Sequence, residues 1–156
     1  MSKRFIFIAA ILILAVFLFL GIFYGYPQYQ KWQLKKQSQK FLEDYLKPYK
    51  EDTYGGKTPE ETWGMFLDAL KKEDVDLAAK YFEATRQEKT QQWLREVKEK
   101  NVLGDMIKDL TASGLDKVKE YGNTSEFIIG PIGQEATAYP IFRKNTVTNI
   151  WKISSL

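Results

Sequence analysis

Any chemistry in this chain must be done without its two most versatile side chains, because cysteine and histidine are both absent. That excludes thiol nucleophiles, histidine general bases, Cys/His zinc sites and disulfides. What remains is carboxylates, amines and phenols. Asp68, Lys71, Lys72 and Glu73 crowd one short stretch, but they read as the solvated side of a helix. Glu60 and Glu61 stand where helix starts use acids, so capping and the helix dipole account for them. No acid–base constellation is left over, and no catalytic residue is assigned. Neither a cofactor nor a metal is expected, since glycine-rich phosphate loops, nucleophile motifs and metal-ligand clusters are missing. Gly130-Pro131-Ile132-Gly133 is turn chemistry. Binding is the remaining possibility. Trp63, Tyr81, Trp93 and Tyr139 are candidates to line a pocket for a small apolar ligand, although aromatics at helical or strand spacing more often fill a core.

The charge balance narrows the partners. The chain carries 23 basic and 20 acidic side chains. Removing Lys3 and Arg4, the only charges before Tyr24, leaves 21 against 20 and a net of +1. A nucleic-acid binder concentrates basic groups on one face, and no nucleic-acid partner is expected here.

Residues 5–24, FIFIAAILILAVFLFLGIFY, contain no charge. As a helix they cover roughly 30 Å, the hydrocarbon thickness of a bilayer. A cleaved signal has an apolar core of about 7–15 residues and a small-x-small pair at its end. This run is longer and ends in GIFYGYPQ, so an uncleaved, single-pass membrane anchor is expected. A buried soluble helix is disfavoured because no period leaves a hydrophilic face. Tyr24, Tyr26, Tyr29 and Trp32 then suit the headgroup level, half dry and half wet. Pro27 should end or kink the membrane helix nearby. Lys3 and Arg4 abut one end of the run, while Lys31, Lys35, Lys36 and Lys40 follow the other, so the positive-inside rule is nearly balanced and leans against an exported domain. The short tail favours N-terminus in, domain extracytoplasmic.

The expected organisation is a tail over 1–4, a transmembrane helix over 5–24, a juxtamembrane stalk and linker over 25–57, and a globular domain over 58–156. Phe41, Leu42, Tyr45, Leu46 and Tyr49 recur at helical spacing in the stalk. Its apolar edge either lies along anionic lipid or packs on the domain. KEDTYGGKT, residues 50–58, reads as linker by composition. Thr58 then supplies an N-cap, Pro59 the first helical position and Glu61 a capping box. Trp63, Phe66, Leu67 and Leu70 form one stripe. Asp74 is placed to cap the next helix, with Leu77, Ala78, Tyr81 and Phe82 on a face. Thr85 and Glu88 repeat the capping-box spacing before Trp93, Leu94 and Val97, and Leu103, Met106, Ile107 and Leu110 make a fourth stripe with Gly114 as its stop.

After Gly114 the period shortens. EFIIGPIG, EATAYPIFRK and TVTNIWKISSL read as strands, the last two joined by a tight turn at Lys144-Asn145. Pro140 implies an edge strand or a bulge. Helices followed by antiparallel strands predict an α+β domain, its helices packed on a curved antiparallel sheet.

TPEETWGMFLDALKKEDVDLAAKYF, residues 58–82, together with the terminal NIWKISSL, resembles the nuclear-transport-factor-2-like (cystatin-like, SnoaL-like) superfamily, particularly its membrane-attached bacterial members. The resemblance spans about Thr58 to Leu156. It implies a cone: a curved antiparallel sheet around helices with a pocket at the wide end. Enzymes of that superfamily place an Asp, Tyr or His at the mouth, and this chain has no histidine. The expected function is therefore a membrane-anchored extracytoplasmic domain of non-catalytic binding or interaction type, with no cofactor. A structural subunit of an envelope or secretion assembly, self-associating or with protein partners, is the first alternative. A small-molecule-binding or isomerase/hydrolase-like enzyme is the second.

Overall fold

The computed structural model describes residues 3–112, 114–130 and 136–156. Ser113 and the expected turn at Pro131-Ile132-Gly133 lie outside the described residues. The chain divides into two compact units, residues 1–46 and 47–156. In the first, α1 (Lys3–Leu20) passes through a π-helical turn (Gly21–Gly25) into α2 (Tyr26–Glu51), whose last residues, from Lys47, belong to the second. The helix from Ala10 onward is long and apolar enough to cross a membrane, and none of its most apolar stretch is buried by the rest of the chain. Of the two expectations for Pro27, the helix does not end there; its regular hydrogen bonding is instead interrupted by the π-helical turn just upstream. A proline lacks the N–H for an i−4 bond and its ring crowds that carbonyl. The π-helical turn immediately before it relaxes the hydrogen-bond spacing at the point where proline would clash.

After the end of α2 and residues 52–58, the second unit continues with four short helices: α3 (Pro59–Lys71), α4 (Val75–Lys80), α5 (Gln87–Glu99) and α6 (Leu103–Thr111). Thr58 caps α3 by accepting from Glu61 N at 3.1 Å. Glu61 reaches back in turn, but to Lys57 N rather than to the cap residue, at 2.6 Å. Asp74 caps α4 through Leu77 N at 2.9 Å. Thr85 does not cap α5; the helix starts one residue later, behind Arg86, with no side-chain cap. The cause is tertiary: Glu83 N donates to Ile153 O at 3.0 Å and Arg86 N to Glu83 O at 2.7 Å, fixing a turn where the cap would stand. Between α3 and α4, Glu73 takes φ 55° and the chain reverses. Its N–H donates to Leu70 O and that of Asp74 to Ala69 O, a Schellman closure without glycine.

Among the described residues four strands follow in the order β1-β2-β3-β4: β1 (Leu115–Tyr121), β2 (Thr124–Ile129), β3 (Ile141–Lys144) and β4 (Trp151–Ser155). All neighbours are antiparallel, giving an α+β unit with an open sheet. β1 is absent from the sequence reading. Asp116 to Tyr121 are exposed on both faces, so LDKVKEY shows no apolar alternation to betray a strand. β3 is an interior strand, and of the two alternatives for Pro140 the irregularity is the one found. The register slips between Ile141 and Phe142, and Pro140 serves the ladder only as an acceptor, for Phe127 N at 2.9 Å. The turn between β3 and β4 is longer than expected. Asn145 organises residues 145–150, accepting from Val147 N at 2.9 Å through its side chain while its amide donates to Tyr49 O at 2.8 Å.

The core joins the helices to β2, β3 and β4. Phe66, Leu70, Leu94, Phe127, Phe142 and Ile153 are sealed in it, with Phe127 and Phe142 edge to face at 5.2 Å between centroids. The outer edge of β4 is also covered. Trp151 N donates to Gly56 O and Ile153 N to Tyr81 O, both at 2.9 Å. Residues 52–56, linker by composition, thus pack along the sheet. Gly56 has no room for a β-carbon beside Glu61 and Thr62. Gly55 sits at φ 143°, where a side chain would also meet the Trp151 carbonyl. Thr62 locks the corner, accepting from Gly56 N and donating to Trp151 O, both at 2.9 Å.

Candidate functional site

The four candidate pocket aromatics separate into two pairs. Trp63, on α3, is buried, its ring 5.3 Å from Phe66 and 6.2 Å from Phe142. Tyr81, at the end of α4, is buried edge-on to Tyr54 at 6.5 Å. Burial, then the nearby Tyr54, Asp68 and Asp74, raises its phenol above the ordinary value of 10.0. Trp93 and Tyr139 lie at the surface, 41% and 63% exposed. The described grooves that touch Trp93 include none of the other three.

Trp93 stands on α5 between two of those grooves. One, of about 210 Å³, runs past Phe82, Arg86, Lys89 and Thr90. The other, of about 480 Å³, is floored by Val97, Met106 and Leu110 and rimmed by Val102, Asp105 and Asp109. Leu156 borders both. This surface is apolar along its middle and ionic at its rims, with a half-exposed tryptophan at its centre. Trp is the residue type most enriched where protein contacts concentrate their binding energy.

The strongest electrostatic feature was not found by sequence reasoning. Lys152 on β4 is only 2% exposed. Its ammonium donates to Asp52 Oδ1 at 2.8 Å, to Tyr54 O at 2.6 Å and to Lys80 O. Gln87 completes the cluster, its amide donating to Asp52 Oδ2 at 2.9 Å and to Phe82 O at 3.1 Å. Burial pulls the Lys152 amine below its ordinary value, while the hydrogen bond and charge of Asp52, and then the charge of Glu83, resist. A depressed lysine can serve as a nucleophile when it is neutral and reachable. Here all three N–H donors are engaged and the group is closed to solvent, so the arrangement acts as a clasp. The only hint in the sequence is a lysine inside the alternating NIWKISS, which strand periodicity assigns to an outer face.

Close by, Glu83 accepts from Ser154 Oγ at 3.0 Å and from Arg143 at 3.3 Å. On the outer side of α4 and α5, Asp76 accepts from Arg95 Nη2 at 2.8 Å and from Gln91 at 2.9 Å. Those two hydrogen bonds, Arg95 first, hold its carboxyl below the ordinary range. Among the described residues no three carboxylates converge as a metal site would need.

The interface aromatics Tyr24, Tyr26, Tyr29 and Trp32 are all exposed, the first in the π-helical turn and the others in the opening turns of α2. The Tyr29 and Trp32 rings lie 6.2 Å apart, Gln33 donates to Tyr29 Oη at 2.7 Å, and the Lys36 ammonium sits 5.2 Å from the Trp32 ring centre. In comparisons with known proteins, no family model, curated protein or solved structure matches the chain.

Proposed function

We propose that the chain is a single-pass membrane protein. Residues 5–24 span the bilayer, and the α+β unit is held on the extracytoplasmic side as a non-catalytic binding or interaction module. The observation that carries this reading is a long helix, apolar on every side, that the rest of the chain leaves uncovered. Such a helix is stable where lipid replaces water and every backbone group is satisfied within the helix. Lys3 and Arg4 directly abut its start, which favours that end as the cytoplasmic one, against the nearly balancing Lys31, Lys35, Lys36 and Lys40 beyond the other end. The absence of catalysis is supported by the sealed state of Lys152 and by the lack of a histidine or cysteine. Assignment of residues 58–156 to the nuclear-transport-factor-2-like superfamily, with a cone-shaped sheet, belongs to the same proposal; helices packed with an antiparallel sheet support it. The exposed Trp93 surface favours a protein contact, in an interaction module or an envelope-assembly subunit, over an enclosed small-molecule site.

The test uses the cysteine-free background. Asn145 is unsuitable for a probe because its side chain holds the turn, but Val147 in the same turn is exposed. Val147→Cys is expected to react with a membrane-impermeant maleimide in intact cells whose outer envelope admits the reagent. Reaction only after lysis overturns the extracytoplasmic placement. Release of the chain from membranes by alkaline carbonate overturns the anchor itself.

A further inference from the structure

The stretch that follows the apolar run is charged in one sense only. Lys31, Lys35, Lys36 and Lys40 all precede Glu43, the first carboxylate in the chain. All four are exposed, and among the described residues none of them forms an ion pair. They lie on α2, which continues the apolar helix without a break. At about 1.5 Å per residue, Lys31 stands about 10 Å beyond Tyr24, Lys35 and Lys36 about 17 Å, and Lys40 about 24 Å. Helical side chains lean toward the N-terminus of their helix, here back toward the apolar run. A lysine stem carries its ammonium further the same way. The headgroup layer adds about 5–8 Å to the hydrocarbon, and charges are felt about 8 Å further in physiological salt. Lys31, Lys35 and Lys36 fall inside that zone and Lys40 outside it. The Tyr29–Trp32 pair lies at the same level, and Lys36 is gathered against the Trp32 ring.

We infer that residues 29–36 of α2 form a collar that binds anionic phospholipid headgroups. Lys31, Lys35 and Lys36 contact phosphate, and Tyr29 and Trp32 are seated between the headgroups. The inference rests on residues 5–24 spanning the bilayer, and adds that the leaflet on the α2 side is enriched in anionic lipid around the protein. The full chain is reconstituted in vesicles of phosphatidylcholine alone or mixed equally with phosphatidylglycerol. Spin-labelled lipids report which species occupies the shell next to the protein. About a five-fold preference for phosphatidylglycerol is expected, the contribution of one lysine near a charged surface. It should fall to the residual preference set by Lys3 and Arg4 at the other leaflet in Lys31→Gln/Lys35→Gln/Lys36→Gln, and persist undiminished in Lys40→Gln. A wild type without preference, or a triple variant that keeps it undiminished, overturns the collar. Flotation separates the two claims: a chain that floats with neither vesicle overturns the membrane reading, whereas one that floats with both yet shows no preference overturns the collar alone.

Discussion

Asp52 and Lys152 are 100 residues apart in the chain and 2.8 Å apart in the fold. Removing one partner of a buried pair leaves the other charge stranded, which typically costs about 3–5 kcal/mol. Asp52→Ala is expected to lose that much in urea unfolding. Asp52→Ala/Lys152→Met should lose less than the sum of the single changes, with a coupling of about 1–3 kcal/mol. The pair also carries a pH signature. Because burial lowers the Lys152 amine below 10.5, the unfolded chain binds more protons than the folded one between the lowered value and 10.5. Stability from this group therefore rises with pH across that window. The stability of the wild type relative to Lys152→Met should grow as pH is raised toward 10.5, and a flat difference would contradict the assignment. None of this was legible beforehand. A lysine in an alternating strand and an aspartate in a glycine-rich linker each look solvated until the fold brings them together. Trp63 and Tyr81 were legible as apolar positions, yet spacing alone could not separate a core ring from a pocket ring.

At the level of the element, local signals succeeded where nothing distant competed. Thr58 and Asp74 cap the helices that their spacing predicts. Thr85 offers the same spacing but loses to the hydrogen bond between Glu83 and β4. Thr58→Ala should therefore cost about 1 kcal/mol in thermal or chemical unfolding, while Thr85→Ala should stay within about 0.5 kcal/mol of wild type. Equal losses would mean that α5 is capped after all. The strands show the complementary limit. β4 announces itself with Trp151 and Ile153, and β3 with Phe142. β1 has no apolar face and is recognisable only as the antiparallel partner of β2. It closes on β2 through Gly122, at φ 57°, and its bulge and lysines make an unattractive template at the open edge of the sheet.

For the molecule as a whole, the α+β class and a helix fit to span a bilayer could be read from periodicity and hydropathy alone. The lane formed by residues 52–56 could not, because its composition is that of a linker while its backbone is a sheet neighbour. A fragment covering residues 47–156 is expected to unfold cooperatively in circular dichroism. One starting at Thr58 lacks the partner of Lys152 and the cover over Trp151, and should melt at a markedly lower temperature or fail to fold. Equal melting of the two would show that the lane is dispensable. The position of β4 in the chain has a further consequence. Helix α3, the lane at Gly56, the end of α4 and strand β3 all meet on Trp151–Ser155, which follows every one of them in the chain. Until it emerges, Lys152 cannot reach Asp52 and the core lacks its closing wall. The helices and strands made before it can form their local hydrogen bonds, but the unit closes only when residues 151–155 join them.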